Sequence, residues 1–159
     1  KNKTFNLDFV REIIEQAAIV YNSKKSGILE LGGGVPKNTA QQTGPLLDQI
    51  LRKDHGGQDY IIQITDARPD TGGLSGATLQ EGKSWGKVQD SHEDLITVYT
   101  DSTIAFPLLA LYALSNEESR EQKRIYKNLD KYYKTLQDSA SKVPDKFADI
   151  LKKSDINLD

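Results

Sequence analysis

The spacing of apolar residues along the chain predicts alternating helices and strands. From Val10 to Tyr21, apolar residues recur every three or four positions, which is typical of one face of an amphipathic helix. Asn6 or Asp8 can cap the start of that helix. Short apolar runs predict three strands, at 27–31, 60–64 and 95–99. The first of these strands is expected to be buried.

The segments between the strands carry helix signals. Residues 35–53 are polar and helix-like, and Gly44-Pro45 interrupts them, so we expect two short helices or one kinked helix. Thr78 and Glu81 have the spacing of a capping box, which predicts a helix running through Lys87. A further helix is expected after 101–102, and an apolar stripe over 125–136 predicts another in the tail.

Strands that alternate with helices predict an α/β fold with a Rossmann-like, mainly parallel sheet and helices on both faces. Parallel sheets place ligand sites at the carboxyl ends of their strands. We therefore expect the segments that follow the three strands to converge at one edge of the sheet, namely Gly32–Lys37, Thr65–Ala77 and Thr100–Ser102. Residues 1–115 would form this domain, and residues 116–159 a charged helical extension.

Composition narrows the functional classes. The 159 residues carry a net charge of −2, so no excess of basic residues suggests binding to nucleic acid. The chain has no cysteine, which excludes thiol chemistry and zinc–thiolate sites. The longest apolar run, 104–114, is too short to span a bilayer and contains Pro107. His55 and His92 lack the spacing of metal ligands, so no metal is expected. With no leader segment recognised, the expected compartment is the cytoplasm.

Two segments at the predicted edge suggest a nucleotide site. Three consecutive glycines after the first strand allow close approach to a ligand, and the helix that follows favours anions. The G-x-G-x-x-G spacing is absent, however, and a simple tight turn is an alternative. Asp101 at the end of the third strand can accept ribose hydroxyls, or it can cap the next helix.

The segment 81–87 holds the only tryptophan, Trp85, with Lys83 and Lys87 on either side. A lysine that is desolvated against an aromatic wall can serve as a nucleophile toward an imine or carbonyl carbon. The alternatives are a solvated surface lysine and a tryptophan in the core.

At these residues the sequence resembles deoxyhypusine synthase, in particular the deoxyhypusine synthase-like branch typical of bacteria. The resemblance rests on four motifs in family order, LGGGVPK at 31–37, SGATLQEGKSWGK at 75–87, VYTDS at 98–102 and FPLL at 106–109. It runs from about residue 8 to about residue 115 and covers the C-terminal half of a family chain. The N-terminal half would come from a second chain or a further segment.

The resemblance implies NAD-dependent transfer of an aminobutyl group from spermidine to a protein lysine, with Lys87 as the nucleophile that carries the group as an imine. It places NAD contacts at Gly33, Asp66, Asp101 and Ser102. It places substrate contacts at Asn38, Gly72, Gly73, Leu74, Glu81 and Trp85. Family members are tetramers with shared sites, so a homo-tetramer is expected.

Departures from the family pattern leave the acceptor open. Asn38 stands where deoxyhypusine synthases carry a histidine, which removes a group that titrates near neutral pH. Leu74 stands where they carry an acid, and Gly82-Lys83 replaces the commoner Ala-Val. The acceptor could instead be putrescine, giving homospermidine. A non-catalytic paralogue that binds NAD or assembles with an active partner is the alternative of another class.

Overall fold

Three parallel strands form the centre of the protein. The structure, a computed structural model, describes residues 8–71, 78–88, 95–116 and 121–140. Strands β1 (Gly27–Leu31), β2 (Tyr60–Thr65) and β3 (Leu95–Tyr99) pair in that order, both pairs parallel. The predicted α/β class with a parallel sheet is confirmed, as are the three strand positions.

The helix that precedes the three strands in the chain packs against a helix that follows them. Helix α1 (Phe9–Tyr21) begins at Asp8, whose carboxylate accepts a hydrogen bond from the Arg11 backbone N–H at 3.0 Å. Helix α6 (Leu129–Ala140) follows a 3₁₀ turn at Ile125–Asn128 and packs on α1. Their shared core consists of small and aliphatic residues, Ala17, Ala18, Leu47 and Leu136. The boundary at residue 115 stays a prediction.

The helical stretch after β1 is broken, as predicted. Helix α2 (Val35–Gln41) is followed by the single turn α3 (Thr43–Pro45) and a π-helical turn at Leu46–Ile50. The break lies at Gln42, just ahead of the Gly-Pro pair. Of the long loop after β2, a 3₁₀ turn at Pro69–Thr71 is described.

Helix α4 (Leu79–Ser84) has both bonds of the predicted capping box, between Thr78 and Glu81. The prediction that it continues through Lys87 is wrong. The helix ends at Ser84 because Gly86 adopts a φ of +69°, a left-handed conformation that turns the chain. The backbone N–H of Lys87 then bonds the Gly82 carbonyl at 3.0 Å.

The two faces of the sheet differ. On the covered face, Ile28, Ile61 and Leu95 pack against Leu79 of α4 and Val88. On the opposite, open face the side chains of β1 and β3 stay exposed, namely Leu29, Leu31, Ile96 and Val98. The expectation that β1 is buried is therefore wrong for Leu29 and Leu31, which are 44 % and 49 % exposed, although Ile64 of β2 on the same face is buried.

Helix α5 (Ser102–Asn116) follows β3 and contacts β2. It is apolar, yet none of its residues is buried. Within the described part of the chain, no helix combines the length and the apolar character needed to cross a membrane.

Candidate functional site

The described starts of the segments that follow the strands meet at one edge of the sheet, as predicted, whereas residues 72–77 lie outside the described part of the chain. The Gly32 N–H donates to the Ile64 carbonyl at 2.7 Å, and the Gln63 side-chain amide donates to the Gly32 carbonyl at 3.0 Å. The Thr100 N–H donates to the Thr65 carbonyl at 3.0 Å. These bonds join the start of each segment to its neighbouring strand. Gly33, Asp66, Asp101 and Ser102 therefore follow three adjacent strand ends.

The glycine loop fits a ligand that approaches the backbone. Gly32 and Gly34 have φ values of +87° and +90°, which other L-residues rarely adopt. A Cβ atom on either would meet no described atom within 4 Å, so the space above the loop is open. A cavity of about 210 Å³ lies beside it, lined by the end of β1, the loop and the first turns of α2. The glycine loop can therefore form a tight turn and also let a ligand approach its backbone.

Asp101 acts as a helix cap in this chain. Its Oδ1 accepts hydrogen bonds from the backbone N–H and the hydroxyl of Thr103, both at 2.8 Å. These bonds lower the pKa of the Asp101 carboxyl below its usual value. The structure thus shows Asp101 as the cap of α5, one of the two roles that the sequence allowed. Its other oxygen, Oδ2, does not take part in these two bonds. Ser102 is the first residue of α5.

The Trp85–Lys87 segment decides two of the alternatives. Lys87 is only 6 % exposed, so it is not a solvated surface lysine. Trp85 is 65 % exposed, so it is not a core residue in this chain. The Lys87 ammonium lies 5.6 Å from the centre of the Trp85 ring, within the range of a cation–π contact. An amine held against an exposed aromatic ring can meet a substrate there.

Glu81 lies on the exposed surface of α4, one turn before Trp85. Its Oε2 accepts the Thr78 N–H at 2.8 Å in the capping box. The other oxygen, Oε1, is not used in that bond, so Glu81 can cap the helix and still face a cation. Asn38 is half-buried on α2 directly after Lys37. Gly72, Gly73 and Leu74 lie outside the described residues.

A buried charged cluster, consisting of Glu30, Lys37 and Lys87, lies beneath the site and was missed by the sequence reasoning. Glu30 and Lys37 are each 5 % exposed and both line the cavity beside the glycine loop. Glu30 points to the covered face of β1, where Gln41 of α2 donates a 2.6 Å hydrogen bond to its Oε1. An acid at a covered position of a parallel strand is the signal that could have found it, because such strands are normally apolar on that face.

Polar residues continue from Glu30 across the sheet. Glu30 pairs in register with Gln63, and Gln63 with Thr97, so one row of the covered face is polar on all three strands. Gln63 is buried and its amide holds the glycine loop. Since buried polar side chains cost free energy unless they are partnered, this row is typical of a functional region rather than of a packing core.

Burial and mutual attraction act in opposite directions within the cluster. Burial raises the pKa of Glu30, opposed by the Gln41 hydrogen bond and by attraction to Lys37 and, more weakly, to Lys87. Burial lowers the pKa of Lys37, and repulsion by Lys87 lowers it further. Attraction to Glu30 and to Glu81 raises the pKa of Lys37 and so opposes these two effects. Each charge of the cluster therefore depends on the others. No group of three or more potential metal ligands occurs among the described residues.

Comparison with known proteins identifies the family. The sequence model of deoxyhypusine synthase matches residues 1–113. The chain belongs to the deoxyhypusine synthase family. It is 50 % identical over 125 residues to a deoxyhypusine synthase-like protein of Nostoc punctiforme, covering 76 % of this chain and 32 % of that protein. A second such protein, from another Nostoc strain, is 46 % identical over 135 residues, 82 % of this chain and 35 % of the relative.

An archaeal relative gives the same result. A probable deoxyhypusine synthase of Methanosarcina acetivorans is 43 % identical over 119 residues, which is 75 % of this chain and 33 % of the relative. The predicted resemblance to the deoxyhypusine synthase-like branch is confirmed. The chain spans about a third of the length of these relatives, less than the half expected from the motifs.

Proposed function

We propose that the protein takes part in NAD-dependent transfer of an aminobutyl group from spermidine, with Lys87 as the covalent nucleophile. The observation that carries the proposal is the placement of Lys87: its side chain is buried, and its ammonium lies 5.6 Å from the ring centre of the largely exposed Trp85. Membership of the deoxyhypusine synthase family supports the reaction class.

Lys87 would take part in two amine exchanges. Its neutral amine adds to the carbon of the imine derived from spermidine, and 1,3-diaminopropane leaves as the departing amine. The four-carbon piece is then held as an imine on Lys87. The acceptor amine displaces Lys87 from that imine, and the new imine is reduced to a secondary amine. A lysine must be deprotonated to act as the nucleophile in the first exchange.

NAD is the cofactor that we propose for this site. When bound, it supplies the acceptor for the hydride removed from spermidine and returns that hydride at the end. The residues present fit such a ligand, because the glycine loop leaves open space at the carboxyl ends of the strands. Gly33, Asp66, Asp101 and Ser102 would hold it from the ends of the three strands.

Spermidine is the proposed donor, and its charges fit the side chains on α4. A polycation that leaves water needs carboxylates and aromatic faces in exchange. Glu81 and Trp85 offer both on neighbouring turns of the chain. Asn38 and the loop residues Gly72, Gly73 and Leu74 are the further proposed substrate contacts.

The remaining part of the site would come from outside this chain. The relatives are about three times as long, so we propose that further protein completes the pocket around Trp85 and that the assembly is a homo-tetramer. The acceptor would be a protein lysine or, given Asn38 in place of a histidine, free putrescine.

Chemical trapping tests the proposal. The full-length protein is incubated with NAD and spermidine, reduced with borohydride, and digested for peptide mass spectrometry. We expect an aminobutyl adduct on Lys87, its loss in Lys87→Arg, and its retention in the matched control Lys83→Arg. An adduct on another lysine would refute the role of Lys87. No adduct in a protein that binds NAD would favour the non-catalytic alternative.

A competition assay then identifies the acceptor. The same protein is offered a lysine-bearing translation factor and putrescine together. Modified protein lysine supports the deoxyhypusine reaction, whereas homospermidine without modified protein supports transfer to the diamine.

A further inference from the structure

The buried charged cluster contains one acid and two lysines, and only one of the lysines is assigned a role by the proposed reaction. Lys37 lies on α2 and Lys87 beyond α4, and both interact electrostatically with Glu30 of β1. A buried carboxylate that pairs with the nucleophile would hold it as an ammonium, which cannot attack. The cluster therefore needs something that prevents this pairing.

Glu30 has one oxygen engaged and one open. Its Oε1 accepts the Gln41 amide at 2.6 Å, while its Oε2 is buried and has no hydrogen-bond partner among the described residues. Leaving a buried carboxylate oxygen without a hydrogen bond costs free energy. Such an oxygen therefore attracts the nearest ammonium group. Of the two lysines, Lys37 lines the same cavity as Glu30, whereas Lys87 is not among the residues that line it.

We propose that Lys37 is a positioning residue, whose ammonium neutralises Glu30 and thereby leaves the amine of Lys87 free to act as the nucleophile. This inference rests on the proposed function, in which Lys87 forms the imine. The charged groups that bear on Lys37 are Glu30 of β1, Glu81 of α4 and Lys87. Repulsion between the two buried ammonium groups acts in the same direction, since it disfavours a second proton on the pair.

The test is a charge cycle at Glu30 and Lys37, measured by the reactivity of Lys87 without NAD or spermidine. The full-length protein is labelled with a trace of acetic anhydride between pH 6 and pH 11, and acetylation of Lys87 is quantified by peptide mass spectrometry. In Lys37→Met, Glu30 is left to pair with Lys87, so we expect acetylation at pH 8 to be about tenfold slower, with the difference disappearing at high pH.

The double variant Glu30→Gln/Lys37→Met removes both charges and should restore the wild-type rate to within about threefold. Glu30→Gln alone keeps an acceptor for Gln41 and should be no slower than wild type. Lys37→Arg keeps the positive charge and should also be near wild type.

An unchanged rate in Lys37→Met, or a double variant as slow as Lys37→Met, would overturn the proposal. Circular dichroism checks the fold of each variant, and Lys37→Gln takes the place of Lys37→Met if the latter does not fold. Failure of the proposed function is distinguishable, because it would appear as absent trapping of spermidine while this labelling cycle still gives its own answer.

Discussion

The two faces of the sheet are built in opposite ways. The covered face carries a polar row, Glu30, Gln63 and Thr97, beneath α2 and the segment after α4. The open face carries aliphatic side chains that remain in contact with solvent in this chain, such as Leu29, which is 44 % exposed. The covered face also holds aliphatic residues, Ile28, Ile61 and Leu95, so what sets it apart is its buried polar row.

The two faces differ in the kind of residue that can make further contacts. The covered face holds its charges within the chain, because each of them interacts with others on neighbouring elements. The open face and the apolar helix α5 both expose aliphatic and aromatic side chains. We propose that further protein covers this exposed apolar surface, since the relatives are about three times as long as the matched part.

The largest expected effect concerns Gly57, where an added side chain would collide with the backbone of Lys87 and Val88. Gly57 has a φ of +89°, and a Cβ atom there would lie 2.6 Å from the backbone of Lys87 and of Val88. Gly57→Ala should therefore lower the free energy of unfolding by at least about 3 kcal/mol, through both backbone strain and collision. Urea denaturation measures the loss.

Gly32→Ala is the matched control for Gly57→Ala. Gly32 has nearly the same φ, +87°, but open space around it, so only the backbone strain remains and about 1 kcal/mol should be lost. Equal losses at the two glycines would show that the collision beneath Lys87 relaxes, and that the covered face is less tightly packed than its distances indicate.

The second effect compares a closed apolar contact with an open one. Leu136 is almost fully buried between α1 and α6, so Leu136→Ala should cost about 3 kcal/mol of unfolding free energy. Leu108 of α5 is 66 % exposed, so Leu108→Ala should cost less than about 0.5 kcal/mol in residues 1–159. Urea denaturation of both variants gives the comparison.

The same pair of variants in the full-length protein sharpens the comparison of the two faces. If further protein covers α5 there, the cost of Leu108→Ala should rise toward that of Leu136→Ala, while the cost of the latter stays the same. An unchanged small cost for Leu108→Ala would mean that α5 remains exposed in the longer protein.

The sequence predicted the elements well because their signals are local. The apolar spacing of α1, the capping box of α4 and the three apolar runs each depend on neighbouring residues, and all appear in the structure. The end of α4 was misjudged because Gly86 takes a positive φ, a choice that the helical spacing of 81–87 does not reveal. The burial of β1 was misjudged because an apolar run does not reveal which of its two faces is covered, and Leu29 and Leu31 remain exposed.

The candidate site was predicted only as far as its motifs reach. Motif resemblance singled out Lys87, and the structure adds its burial and its contact with Trp85. The partnership of Glu30 with Lys37 and Gln41 could not be predicted from spacing alone, because it joins a strand to a helix through side chains that meet only after folding. Period-two alternation within β1 would have shown that Glu30 shares a face with Ile28.

The smallest effect concerns α4, the helix that directly precedes Trp85 and Lys87. Thr78 caps α4 by accepting the Glu81 N–H at 3.3 Å, so Thr78→Ala should lower the free energy of unfolding by about 1 kcal/mol. Thr78→Ser keeps the hydroxyl and should lose only a few tenths of that amount. Urea denaturation distinguishes the two. Because the Thr78 N–H still binds Glu81 in both variants, the trapping proposed for Lys87 should persist. Its loss in Thr78→Ala alone would show that the cap, rather than the packing of Leu79 and Val88, fixes the position of Lys87.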